Sequence, residues 1–165
     1  MSMHIAGMEL NLTHKALEIF VSGCTRNCAG CHNPELQKYG VGKKWQRWLR
    51  ENTSKLNYEW SMLVDKLWIV GGDILCQPPE DAREFLMALR KAAPSMDICV
   101  WTGARYSEIP DFVFKFADVV KVGEYIDGTE SIIASYPLID DSHIPVTLAS
   151  ANQYFRRVNY VRTAS

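Results

Sequence analysis

Three cysteines fall within eight residues of the stretch SGCTRNCAGCHNPE, at Cys24, Cys28 and Cys31. Disulfide pairing accounts for them poorly, because three is odd and the two other cysteines, Cys76 and Cys99, are remote and isolated. Thiolates gathered in a loop are metal ligands by preference. Two metal chemistries fit. A Cys3His zinc site would add His32, although adjacent Cys31 and His32 have difficulty pointing at one small ion. A [4Fe–4S] cube held by three thiolates would keep one iron without a protein ligand, free to bind a substrate or cofactor.

The elements that must position this loop are legible around it. Ala16–Val21 reads as a buried strand ending at Ser22–Gly23, directly before the cysteines. Leu67–Val70 is a second short apolar strand closed by Gly71–Gly72–Asp73, Ile98–Trp101 a third closed by Thr102–Gly103, and Val119–Val122 a fourth ended by Gly123. Between them lie helical patterns. Lys44–Asn52 puts Trp45, Trp48 and Leu49 on one face, and Tyr58–Val64 forms a further helix. A longer helix starts at Pro79 and stops before Pro94, with acids in its first turn and Arg90 and Lys91 in its last. Ser107 caps a helix whose inner face is Ile109, Phe112, Val113 and Phe116. A last strand is placed within Tyr154–Val161.

Apolar strands alternating with helices predict an α/β fold, a parallel sheet covered by helices. In such sheets ligands sit beyond the carboxyl ends of the strands. The loops beginning SGC, GGD and WTG therefore converge on one rim. The 165 residues suit a single domain, with no repeat or linker dividing positions 1–165. A net charge of -1 disfavours a dedicated nucleic-acid binder. No apolar run reaches the roughly 18–20 residues of a membrane span. The N-terminal segment lacks the order of a signal peptide, so the expected compartment is the cytoplasm.

The CxxxCxxC loop followed by a GGD turn resembles the radical S-adenosylmethionine superfamily. The resemblance implies a partial (βα) barrel with cluster and cofactor at the C-terminal rim of the strands. It also implies that Cys24, Cys28 and Cys31 hold a [4Fe–4S] cluster, whose open iron S-adenosylmethionine chelates through its amino and carboxylate groups. Gly71, Gly72 and Asp73 would meet the amino group, and an electron from the cluster would split the sulfonium to a 5′-deoxyadenosyl radical. CTRNCAGCHN, the WTG of Trp101–Gly103 and the late Ser150, Asn152 and Gln153 are similar to one branch, the activases of anaerobic ribonucleotide reductase. That branch implies cofactor contacts from Thr102, Asn152, Gln153, His32 and Asn33, with His32 shaping the loop rather than binding iron. The implied function is to generate a glycyl radical on the large reductase subunit, with an electron donor such as flavodoxin or ferredoxin. A small-molecule radical enzyme of the deazaguanine-forming type and a non-catalytic zinc or iron–sulfur module are the alternatives.

The sequence departs from the branch at several positions. Asp73 stands where glutamate is usual, Ile74 where proline is, and Val122 where aspartate is frequent. NLTHKALEIF replaces a glycine–arginine stretch before the first strand. Cys76 and Cys99 read as packing residues, and Lys43, Lys44, Arg47 and Arg50 as a solvated face. His4, His14 and His143 have no ligand spacing.

Overall fold

The computed structural model describes residues 2–159. Nine strands and three α-helices follow one another as β1 (His4–Asn11), β2 (Ala16–Ser22), β3 (Lys43–Lys44), α1 (Trp45–Ser54), β4 (Lys66–Gly71), α2 (Pro79–Ala92), β5 (Asp97–Trp101), α3 (Asp111–Phe116), β6 (Val119–Val122), β7 (Ile132–Pro137), β8 (His143–Leu148) and β9 (Tyr154–Arg157). Seven of the strands form one sheet in the order β3-β1-β2-β4-β5-β6-β9, and β7 and β8 pair separately as an antiparallel hairpin.

The four expected strands, β2, β4, β5 and β6, are mutually parallel neighbours. Their continuous apolar character follows from burial on both faces. Leu17, Ile19, Leu67, Ile69, Ile98, Val100 and Val120 face the helices, where they meet Trp45, Trp48, Phe85, Leu86, Leu89 and Val113. Trp68, Cys99, Val119 and Phe155 cover the other face, packed under Ala134, Tyr136, Val146 and Leu148 of the hairpin. Alternate residues of each strand thus serve two cores.

The sheet is only largely parallel. β1 runs antiparallel to β2, and β9 antiparallel to β6. The segment Tyr58–Val64 is not a regular helix: it falls in a π-helical turn (Lys55–Glu59) and a 3-10 turn (Trp60–Met62) that extend α1. Ser107 caps no helix, since α3 begins at Asp111 after Pro110. Pro110 fixes extended backbone there, and Ser107 lies in a 3-10 turn (Tyr106–Glu108) whose Glu108 carboxylate accepts from the Arg105 amide at 2.9 Å. The last expected strand occupies Tyr154–Arg157, and residues 160 and 161 of that reading lie outside the described residues. Among the described residues no helix is long and apolar enough to cross a membrane.

Candidate functional site

Register brings the four parallel strands to a common rim. Val21 pairs with Gly71, and Trp101 with Lys121. Beyond that rim lies a cavity of about 300 Å3, walled by Cys24, Cys28 and Cys31 together with Gly71, Gly72 and Asp73. His32, Asn33 and Gln153 also line it, so nine of the eleven residues singled out by sequence share one space. A larger cavity of about 540 Å3, lined by Asp65, Lys66, Asp97 and Asp140, opens near the starts of β4 and β5 and contains no cysteine.

The cysteine loop is held on the strand ends by backbone contact. Gly72 N–H donates to Val21 O at 2.7 Å, and Asp73 N–H to Gly23 O at 3.1 Å. Such close approach requires the glycine pair. Gly71 has φ +100°, and a Cβ on Gly72 would stand 2.5 Å from Gly23 O and 2.8 Å from Leu36 O. The buried Gln77 amide adds a clamp, its Nε2 lying 3.0, 2.9 and 3.1 Å from the carbonyls of Ser22, Gly23 and Asp73.

Asp73 is 2% exposed, and its carboxylate gathers four donors. Oδ2 accepts from Arg26 Nε at 2.7 Å, Gly103 N–H at 2.8 Å and Thr102 Oγ1 at 2.9 Å. Oδ1 accepts from Leu75 N–H at 2.9 Å, capping the short turn Ile74–Cys76. Thr102 therefore sits behind the cavity wall and orients Asp73. Asn152 also stands apart from this cavity, donating to Glu124 O at 2.9 Å. Gln153 ties the same segment down, giving Nε2 to Gly123 O at 3.0 Å and accepting from Ser150 N–H at 3.1 Å. His32 lies against the Tyr125 ring, centroids 4.9 Å apart.

None of the five cysteines is in a disulfide. Cys24, Cys28 and Cys31 are partly exposed, whereas Cys99 is buried. A hydrogen bond with Cys76, then burial, holds the Cys24 thiol above its ordinary range. The same bond holds Cys76 low, at about 6, with further help from Thr25. Burial, then Glu124, pushes Cys28 up. Among the described residues no three His, Cys, Asp or Glu side chains are gathered as ligands of one metal ion. The three thiols share a cavity without meeting at a point. A set of three unpaired, partly exposed sulfurs around one space suits a group large enough to be reached from several sides.

Sequence reasoning missed two cations here. Arg26 lies inside the cysteine loop, and its charge next to three thiols was the available signal. Lys121 lines the cavity, and its signal was a lone charge within the apolar run VVKV.

Residues 14–134 match the family described as 4Fe-4S single cluster domain. The chain belongs to this family. The matched 4Fe-4S single cluster domain is of the radical S-adenosylmethionine type, and it takes in the cysteine loop and the four parallel strands β2, β4, β5 and β6. Similar proteins carry the name anaerobic ribonucleoside-triphosphate reductase-activating protein. The one from Escherichia coli K12 is 26% identical over 67% of this chain and 71% of its own length. That of enterobacteria phage T4 is 28% identical over 65% and 69%, and that of Haemophilus influenzae 27% over 66% and 72%.

Proposed function

We propose that the chain is a radical S-adenosylmethionine activase that places a glycyl radical on an anaerobic ribonucleotide reductase. The observation that carries this reading is the single cavity shared by Cys24, Cys28, Cys31 and the Gly71–Gly72–Asp73 turn. Cys24, Cys28 and Cys31 would hold a [4Fe–4S] cluster, and the Gly71–Gly72 backbone with Gln153 would border S-adenosylmethionine. When bound, cluster and cofactor supply the electron and the hydrogen-abstracting radical. The chain's own part is to bind, orient and shield. Arg26, Thr102 and Gly103 fix Asp73, and Asp73 in turn fixes the loop bearing Cys76.

The cavity's size favours a protein substrate over a small molecule. At about 300 Å3 it is at the lower end of small-molecule sites, and S-adenosylmethionine alone would take it up. Trp68, Tyr136 and Phe155 fill the neighbouring space between the sheet and the β7–β8 hairpin. A glycine-bearing loop of the reductase would instead approach the open mouth, with a flavodoxin or ferredoxin as electron source.

Anaerobic purification followed by metal analysis separates this reading from a zinc module: about four irons and four sulfides per chain are expected, against one zinc. With S-adenosylmethionine, a reductant and the reductase, a glycyl doublet should appear in the paramagnetic spectrum of the partner. Turnover of a small pterin-like substrate with no partner present would instead establish the deazaguanine-type alternative.

A further inference from the structure

Lys121 is the one lysine lining the cavity of the three cysteines, and it is 7% exposed. It rises from β6 on the face away from the helices, between Val119 and Gly123. Its Nζ lies 3.2 Å from Gly123 O and 6.0 Å from the centre of the Trp101 ring. Gly123 O also accepts from Gln153 Nε2, so the ammonium's hydrogen bond is a shared one. An ammonium carries three N–H donors. Asp73, the carboxylate that most favours the Lys121 ammonium, is taken up by Arg26, Thr102 and Gly103. Trp101, on the same wall, has a buried Nε1 with no hydrogen-bond partner. The Lys121 ammonium thus has one shared carbonyl for its three N–H donors, and Trp101 Nε1 has no acceptor.

A buried ammonium without an anion is costly, and an anionic group entering the cavity would relieve that cost. S-adenosylmethionine has a cationic sulfonium, a cationic ammonium, and neutral ribose and adenine. Its carboxylate is its only anionic group. We infer that Lys121 is the cation that receives the carboxylate of S-adenosylmethionine, setting how the methionine end lies in the cavity. This rests on the S-adenosylmethionine reading of the site. A carboxylate has two oxygens, so a bond to Lys121 leaves one for iron. Burial holds the Lys121 ammonium low, at about 8, and that is still charged at neutral pH.

The test compares two ligands on cluster-loaded protein by equilibrium dialysis: S-adenosylmethionine, and 5′-methylthioadenosine, which lacks the amino-acid end. Lys121→Met should weaken S-adenosylmethionine binding roughly ten- to a hundredfold, the range of a charged hydrogen bond, and leave methylthioadenosine unchanged. Lys121→Gln, which keeps an N–H donor for Gly123 O but no charge, should do the same. The ratio of the two affinities within one variant does not depend on the fraction folded. Equal loss for both ligands, no loss for either, or loss of iron and sulfide from the variants overturns the assignment. Wild-type protein that binds no S-adenosylmethionine removes the cofactor reading as well. Wild-type binding with unaltered variants removes Lys121 alone.

Discussion

Arg26 Nε and Asp73 Oδ2 stand 2.7 Å apart, an ion pair between residues 47 positions distant in the chain. The carboxylate is nearly inaccessible and the guanidinium about a quarter exposed, at 2% and 24%. The pair fastens the middle of the cysteine loop to the end of β4, from inside the candidate site.

Breaking that pair should loosen the loop. Asp73→Asn leaves Arg26 half-buried without its partner, so stability in urea should fall by about 2–4 kcal/mol. Arg26→Met should cost less, because Asp73 retains three other donors. Both variants should weaken S-adenosylmethionine binding, since the effect runs through the position of the loop. A loss confined to Asp73→Asn would instead mean direct contact between the carboxylate and the cofactor.

Cluster content should divide the cysteines by place. Cys24→Ala, Cys28→Ala and Cys31→Ala should each abolish a functional [4Fe–4S] cluster. Cys76→Ser and Cys99→Ser should retain it, Cys99 being wholly buried under the hairpin. Iron and sulfide analysis reads the outcome, and a Cys28 variant that kept its cluster would sink the ligand assignment.

Gly72→Ala inserts a methyl group where two backbone oxygens already stand at 2.5 and 2.8 Å. The loop must shift, at about 1–3 kcal/mol. Thermal unfolding of the cluster-free protein should register that loss, with incomplete cluster loading in parallel. Wild-type melting together with full loading would show that the loop has more room than the contacts allow.

The pH dependence of stability should carry a Lys121 signature. Burial lowers its folded value to about 8 from an ordinary 10.5, opposed by Asp73, Cys99 and Cys28 and reinforced by Arg26. Between those two values the unfolded chain binds a proton that the folded chain has released. Stability from this group therefore rises with pH across the window, with a slope of up to about 1.4 kcal/mol per unit. Denaturation of cluster-free wild type and Lys121→Met at pH 7.5 and 10 measures it. Parallel profiles would show that burial does not lower the Lys121 value.

The parallel strands could be read because each is apolar on both faces, and the glycine turns marked their ends. β1 escaped because its outer half alternates weakly, with Met8 and Leu10 exposed and Gly7 at an irregular register. The β7–β8 hairpin was hidden by Pro137 and Pro145, which argue against strands, and by an exposed Ile133. Cysteine spacing located the cavity, since its chemistry lies within eight residues. The roles of Arg26, Thr102 and Lys121 depend on pairings across the sheet, which no local window contains.

Gln77 holds three carbonyls of the rim, those of Ser22, Gly23 and Asp73, with a single amide. That clamp is made of protein alone. The backbone entering the cysteine loop is therefore ordered by folding itself, and the entropy of ordering it falls on the folding step.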